Sequence, residues 1–552
     1  MKRFKLFLFA VGLVFAIAVA APASPQAIPE PQSTPEPQEI PEPQEIPTEE
    51  ATTDPLSEAE PEAEPESEQV RRKLLIQGDE AHTAGDREAA RAFYRRAKSE
   101  TWLLPQPIFE ALPPEPFTDR EQLSAAGAVY WREAAAGLAA NRSSQRSVAL
   151  ALLTQAQPAF MPGQIAYAQM LEAEGASEEA IAVLEQALTL YPDQPDLLLA
   201  QVDLHMSQES WLEAAIVSRQ FVALNTQHPK REAQTALASE NMERFRSEMR
   251  TDIRNGAIAN VFTGALSYAL TGSIFGPATA ASSAVTLLQG ENAIGNQYAT
   301  QIQSQLPMLE NPEALGYVRR MGNRLAATTG RSDLDYEFFV ILDPTLNAFA
   351  LPGGKIFVNA GAILDTRSEA ELAGLLAHEL SHSVLSHGFQ QVTRGNLSSS
   401  VAQYLPYGGL INNVFLSGYS RDMERQADIV GTQILDAGGY AADGLHNVMV
   451  TLNEQTADGP RAPAWIASHP NPADRVAYLQ NLVERGGYDR YEYEGVISHE
   501  RVQAMVAREL AAYEVKQRAD VEADANESEP SDAEASESET SDADASEEVV
   551  IP

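Results

Sequence analysis

The sequence predicts a mostly helical protein of the α+β class, in which an N-terminal α-solenoid of helical hairpins precedes a second domain. Two observations support this fold class. Between residues 70 and 245, small and apolar residues recur with the spacing of paired helices. Farther along the chain, residues 368–382 and 420–428 each fit a helix that presents chemically reactive side chains on one face.

The charge of the chain is concentrated near its two ends. The 552 residues carry a formal net charge of −39, yet residues 21–69 hold fourteen acids without a base and residues 519–552 hold thirteen. The remaining body is modestly acidic, which excludes the basic footprint of a nucleic-acid-binding protein. The sequence contains no cysteine, so any metal must be held by histidine and carboxylate groups.

Residues 1–20 have the pattern of an export signal peptide. Basic residues precede an apolar run, and small residues place the cleavage between positions 20 and 23. The apolar run is short for a membrane span, which favours a cleaved signal over an uncleaved anchor. We therefore expect an exported protein of the periplasm or cell envelope. Secretion, and anchoring by an uncleaved signal, are the alternatives.

Three further segments are biased in composition. Residues 21–69 are rich in Pro and Glu and predict an extended, disordered linker. Residues 516–552 predict a disordered acidic tail. Residues 255–290 contain no charged side chain and form a Gly- and Ala-rich helical segment. This last segment fits a helical pair packed in the protein, an element on a membrane surface, or a membrane insertion.

Residues 70–245 contain degenerate helical repeats. Ala180, Leu184, Ala187 and Pro192 occupy the small, apolar and helix-ending positions of a 34-residue tetratricopeptide unit. Two other units follow the same frame, with Gly78, Ala90, Tyr94 and Ala97 in the first and Gly137, Ala149, Leu153 and Ala156 in the second. A weaker fourth unit has Ala214 and Phe221, with its proline displaced to Pro229. Four tetratricopeptide-like hairpins would expose a concave surface for a peptide or partner protein. The alternative is a helical spacer without a binding role.

The segment 376–382 contains His378, Glu379 and His382. Residues four apart share one face of a helix, so the two imidazoles can bind one metal ion, and Glu379 can point toward water beside it. A match to this pattern alone is only moderately specific. The second motif, at 420–428, strengthens it, because Glu424 and Asp428 also stand four residues apart. One carboxylate can complete a metal site and the other can orient a ligand imidazole.

A third motif contains His469, Pro470 and Arg475. The order of the three motifs resembles that of metallopeptidases related to the CaaX prenyl protease, and especially of their soluble periplasmic branch in outer-membrane protein assembly and quality control. The resemblance covers roughly residues 285–485 and implies a gluzincin-type zinc metallopeptidase domain, which we place at 246–515. It also implies a strand hairpin at 347–358, which supplies the small β-sheet of the predicted class.

By position, the resemblance implies that His378, His382 and Glu424 bind one Zn²⁺ per chain. Glu379 matches the general base. Asp428 matches the residue that holds a ligand histidine by its second nitrogen.

The resemblance also assigns residues around the cleft. His469 and Arg475 match catalytic residues that face the substrate, and in the periplasmic branch the histidine takes a zinc position in a latent state. The segment 394–419 is a candidate lid or an ordered connection between motifs. Substrate would add as an edge strand along Asn347, Ala348, Phe349 and Ala350.

Two features depart from the resembling family. The repeats precede the peptidase-like region here, whereas the periplasmic assembly protease carries them after it, so the identity of the partner does not transfer. Ser386 and His387 stand where an Arg-His pair is common, and we interpret His387 as structural.

The leading hypothesis is a zinc-dependent endopeptidase that hydrolyses misfolded or unassembled extracytoplasmic proteins. The repeats would recruit substrate or an envelope assembly complex, and residues 255–290 leave contact with a membrane surface open. The alternative is a chaperone or assembly adaptor with a mostly latent site, but every residue of the catalytic motif is present, which favours the enzyme. A prenyl-protein protease would need long apolar spans that the sequence lacks.

Overall fold

The computed structural model describes residues 66–98, 114–254, 290–394, 419–458, 464–469 and 472–528. The predictions for the signal peptide, the linker up to residue 65, the uncharged segment 255–289, the lid candidate between 395 and 418, and the end of the acidic tail lie outside these residues. Among the described helices, none is long and apolar enough to cross a membrane.

The repeat region forms four helical hairpins and one long helix within the described residues. The pairs are α1 (Glu66–Thr83) with α2 (Arg87–Ala97), α3 (Ala125–Ala139) with α4 (Ser143–Ala156), α5 (Met161–Ala173) with α6 (Ser177–Leu190), and α7 (Pro195–Ser207) with α8 (Trp211–Leu224); α9 spans Arg231–Arg254. The small residues allow close contact between helices: a β-carbon at Gly137 would lie 2.8 Å from the backbone nitrogen of Arg146. The predicted N-terminal helical-repeat region is confirmed.

A three-stranded sheet follows α10 (Glu291–Gln305) and α11 (Pro312–Ala326). Strands β1 (Glu337–Ile341), β2 (Ala348–Leu351) and β3 (Lys355–Asn359) lie in the order β1-β3-β2, with β1 parallel and β2 antiparallel to β3. The tight turn between β2 and β3 places Gly353 and Gly354 at φ of 78° and 82°, a region that glycine adopts without steric cost. The predicted small sheet is therefore present, and β2 lies at its edge.

One helix, α13 (Glu369–Val384), forms the centre of the second domain, because every residue from Ala370 to Val384 is buried. Glycines bring its neighbours close: a β-carbon at Gly374 would lie 2.4 Å from the backbone nitrogen of Leu445, and one at Gly431 would lie 3.2 Å from Cα of His378. The remaining helices are α12 (Ala360–Asp365), α14 (His387–Arg394), α15 (Arg421–Ala437), α16 (Gly444–Asp458), α17 (Ala464–Ser468), α18 (Pro472–Arg485) and α19 (Val496–Ser528).

The first helical hairpin packs against the start of α19. Leu75 and Tyr94 share a small apolar core with Val496. The carboxylate of Asp79 accepts hydrogen bonds from the backbone N–H groups of residues 494, 495 and 496, at 3.1, 2.9 and 2.8 Å. Asp79 thus caps a helix more than 400 residues away in the chain.

Helix α19 continues to Ser528. The start of the predicted disordered tail, at residue 516, therefore lies within this helix. Residues 516–528 include three alanines and two glutamates, which favour helix.

Candidate metal centre

Two capped helices bring the first two motifs together. Ser368 caps α13 by accepting a hydrogen bond from the backbone N–H of Glu371 at 3.2 Å, and Ser420 caps α15 in the same way. Within α13, His378 and His382 lie on one face, and their Nε2 atoms are 3.1 Å apart. The close packing of α15 on this face brings Glu424 alongside, with a carboxylate oxygen 3.5 Å from Nε2 of His378.

The third motif completes the cluster. One ligand atom each from His378, His382, Glu424 and His469 lies within 4.8 Å of the others, and all four residues are buried. Nδ1 of His469 is 3.3 Å from Nε2 of His378 and 2.8 Å from Oε1 of Glu424. Ligands at the usual zinc distances of 2.0–2.1 Å form a tetrahedron with edges of about 3.3 Å, so these separations fit a zinc-sized ion.

Glu379 provides a second indication that the cluster accommodates a metal ion. Its Oε1 accepts a hydrogen bond from Nε1 of Trp465 at 3.1 Å. Its Oε2 is buried and has no hydrogen-bond partner among the described residues. A buried carboxylate oxygen without a partner is costly, whereas water at a metal centre would satisfy it. The residue types and the geometry both fit a metal site with a general base beside it.

Asp428 and Arg475 orient the cluster. Oδ1 of Asp428 lies 3.0 Å from Nδ1 of His378 and accepts a hydrogen bond from it, which turns Nε2 of this imidazole toward the other residues of the cluster. The guanidinium of Arg475 donates to Oδ2 of Asp428 at 2.8 Å and to Oε2 of Glu424 at 2.9 Å. Arg475 is itself buried and links the two carboxylates of the second motif.

A residue that the sequence analysis interpreted as structural also contacts the cluster. Nδ1 of His387 lies 3.0 Å from Nδ1 of His382, and its Nε2 lies 3.0 Å from Oε1 of Gln426. The contact arises because Ser386 adopts a φ of 56°, which turns the chain back after α13. The sequence signal was a histidine five residues after His382, but a helical wheel does not place it near its neighbour.

Charge balance within the buried cluster shifts its pKa values. Burial raises the pKa of Glu424, but the neighbouring His469 and Arg475 outweigh this effect and hold it well below its ordinary value. Burial and Arg475 lower the pKa of His378, but hydrogen bonds to Asp428 and Glu424 raise it to about 9. Burial, together with the charge of His378, holds the pKa of His382 well below its ordinary value. The Glu424 carboxylate therefore stays ionised and available to a cation.

The predicted substrate-binding residues lie along the neighbouring edge strand. Asn347 precedes β2, and Ala348, Phe349 and Ala350 pair with β3 on one side only. The space between the end of β2 and His382 is lined by Ala350, Leu351 and Tyr419 and has no room for a water molecule. The edge strand is therefore next to the metal cluster, but the path between them is closed.

A helix that carries His-Glu-x-x-His, joined by a carboxylate from a second helix, is an arrangement found in zinc metallopeptidases. Comparisons with known proteins agree with this class. Residues 312–483 match peptidase family M48, and residues 162–204 match a tetratricopeptide repeat. Residues 312–483 are therefore similar to peptidase family M48, and a region similar to a tetratricopeptide repeat precedes them.

Three relatives illustrate the similarity. The mitochondrial metalloendopeptidase OMA1 of Schizosaccharomyces pombe is 32% identical over 173 residues, which cover 30% of this chain and 51% of that protein. The putative beta-barrel assembly-enhancing protease of Vibrio cholerae is 28% identical over 219 residues, which cover 36% of this chain and 45% of that protein. The beta-barrel assembly-enhancing protease of Escherichia coli is 24% identical over 226 residues, which cover 37% of this chain and 45% of that protein. The chain spans about half the length of these relatives.

Proposed function

We propose that the protein is a zinc-dependent endopeptidase that cleaves misfolded or unassembled extracytoplasmic proteins. The observation that carries this proposal is the convergence of His378, His382 and Glu424 beside a buried Glu379 whose Oε2 has no partner among the described residues. The relatives are named as a metalloendopeptidase and as proteases that enhance β-barrel assembly, which supports both the reaction and the substrate class.

The chemistry follows from the positions of the side chains. Zinc, when bound by His378, His382 and Glu424, supplies Lewis-acid polarisation of a peptide carbonyl and lowers the pKa of water toward about 7. Glu379 accepts a proton from the attacking water and delivers it to the leaving amine. Asp428 would keep a proton on Nδ1 of His378, so that Nε2 is the nitrogen that gives up its proton when a metal ion binds.

His469 and Arg475 have separate roles in this proposal. His469 occupies the fourth position of the cluster at rest and, once displaced, donates to the developing oxyanion. Arg475 acts through Asp428 and Glu424, to which it is hydrogen-bonded, and is a positioning residue.

Substrate would bind by β-strand addition. β2 pairs with β3 on one side, and an extended polypeptide would add to its other side, where Ala350 and Leu351 line the same closed space as His382. In this binding mode the enzyme forms hydrogen bonds with the backbone of the substrate and depends little on its side chains. Such binding suits an enzyme that acts on unfolded chains of varied sequence.

We further propose that the repeats of residues 70–245 recruit substrate or an envelope assembly complex to the peptidase domain of residues 246–515. The packing of α6 and α15 supports this role, because Gln433 of α15 donates to Asp193, which follows α6. A chain bound by the repeats would lie close to the helix that carries Glu424. Export, directed by residues 1–20, would place the protein in the periplasm or cell envelope.

The test compares the mature protein with two variants, Glu379→Gln and His469→Ala, for zinc content and for cleavage of casein. We expect about one zinc per chain in all three proteins, no cleavage by Glu379→Gln, and faster cleavage by His469→Ala. If neither the parent nor His469→Ala binds zinc or cleaves casein, the proposed enzymatic function is rejected.

The alternative function is a chaperone or assembly adaptor in which the protease site is mostly latent. The complete burial of the four-residue cluster favours this reading of the resting protein. It would be supported if the Glu379→Gln variant, despite its lack of cleavage, suppressed aggregation of an unfolded β-barrel protein as well as the parent does.

A further inference from the structure

Trp465 contacts the catalytic cluster from the only turn of helix α17, and neither the sequence motifs nor the proposed chemistry explains it. Its side chain is fully buried, and its Nε1–H donates to Oε1 of Glu379 at 3.1 Å. Its ring stacks on that of His469, with centroids 4.3 Å apart and planes within 12°. The guanidinium of Arg475 lies 4.7 Å from the ring centroid.

Trp465 and His469 belong to one backbone turn. The N–H of His469 donates to the carbonyl oxygen of Trp465 at 2.9 Å. The same turn therefore places an imidazole in the fourth position of the metal cluster and an indole N–H on the general base. A single short segment therefore contacts both the metal cluster and the general base, Glu379.

The residues that this turn contacts are buried. Glu379 and His378 have no exposed surface, and the cleft between His382 and the edge strand excludes water. Tyr419 adds to the closure, since its ring stacks on His382 at 3.7 Å and its N–H donates to the carbonyl oxygen of Ser468 at 3.2 Å. Because His469 contacts His378 and Glu424 and Trp465 contacts Glu379, a polypeptide bound at these atoms would have to displace this turn.

We propose that Trp465 is a positioning residue that keeps the peptidase closed. Its indole ring and its bond to Glu379 hold the Trp465–His469 turn in place, so that the base and the fourth metal position are released together or not at all. This inference rests on the proposed endopeptidase function and concerns the control of the same site. Removal of the indole shifts the protein toward an open, active form.

The test uses Trp465→Phe, which keeps a ring but loses the N–H, and Trp465→Ala, which loses both. The matched control is Tyr440→Phe: Tyr440 is also buried, donates to a glutamate of α13 (Glu369, at 2.9 Å) and carries an arginine over its ring at 4.4 Å. The first measurement, independent of catalysis, is the rate at which zinc passes to a chromogenic chelator. The second is the cleavage of casein by the zinc-loaded protein.

A hydrogen bond to a charged group corresponds to a factor on the order of ten in the closed-to-open equilibrium. We expect Trp465→Phe to transfer zinc and to cleave casein on the order of tenfold faster than the parent. Trp465→Ala, which also loses the ring, should be faster than Trp465→Phe in both measurements. Tyr440→Phe should match the parent in both. The double variant Trp465→Ala/His469→Ala should cleave no faster than His469→Ala, because both side chains belong to one closing element.

Zinc-loaded, folded Trp465→Phe and Trp465→Ala proteins that transfer zinc and cleave no faster than the parent would overturn the inference. If His469→Ala is activated while the Trp465 variants are not, this inference fails and the endopeptidase stands. If no variant cleaves and none holds zinc, the endopeptidase itself fails.

Discussion

Replacement of His499 by Gln should remove a defined part of the acid sensitivity of the fold. His499 of α19 is fully buried; its Nε2–H donates to the carbonyl oxygen of Thr366 at 3.0 Å, and its Nδ1 accepts from the hydroxyl of Tyr317 at 2.9 Å. Burial lowers its pKa from 6.5 to about 4. The side chain is therefore neutral in the folded protein at neutral pH.

The direction and size of the effect follow from this shift. Between pH 6.5 and about 4 the unfolded chain binds a proton at His499 that the folded protein does not. The contribution of the neutral His499 side chain to the free energy of unfolding is complete above pH 6.5 and is lost as the pH falls toward 4. A shift of this size corresponds to about 3 kcal/mol of unfolding free energy.

The assay is urea unfolding at pH 7.5, 6.0, 5.0 and 4.5, with Glu379→Gln present in every protein to prevent self-cleavage. Over this range His499→Gln should lose less stability than its parent, by roughly 2–3 kcal/mol, while its stability at pH 7.5 is about 1 kcal/mol lower because the hydrogen bonds are imperfectly replaced. Gly316→Ala, which changes no titratable group, is the control and should leave the pH dependence unchanged. Parallel pH profiles for His499→Gln and its parent would refute the reasoning.

Three further predictions concern contacts that the structure brings together. His387→Ala should weaken zinc binding by about 10- to 100-fold in a chelator competition, because it orients a ligand imidazole; unchanged affinity would assign it a purely structural role. Gly374→Ala should lower the melting temperature by several degrees, since its β-carbon would meet the backbone of α16 at 2.4 Å, whereas Gly316→Ala, which meets only the end of an arginine side chain, should not. Asp79→Ala should destabilise the start of α19 by about 1–2 kcal/mol and increase hydrogen exchange at residues 494–496; undiminished protection there would contradict the capping role.

The residues of the first two motifs were predictable because their geometry is local. A spacing of four places His378 beside His382 in any α-helix, and the same holds for Glu424 and Asp428. The repeat hairpins were predictable for a similar reason, since the small residues that recur in each unit lie at the contact between two helices that are adjacent in the chain.

The remaining contacts of the site depend on residues far apart in the sequence. Trp465 reaches Glu379 across 86 positions, and Arg475 reaches Asp428 across 47. No periodicity marks such pairs. Arg475 matched a residue that faces substrate, and only the folded chain shows its guanidinium between two carboxylates.

The sequence by itself determined that this chain has helical repeats, a helix with two histidines on one face and a second helix with two carboxylates on one face, because each of these is encoded by spacings shorter than one repeat. Only the tertiary structure decided that the first hairpin caps α19, that His387 supports His382, and that Trp465 closes the site over Glu379. These features arise from packing between distant segments, where the identity of a contact depends on how whole helices meet and not on the pattern within any one of them.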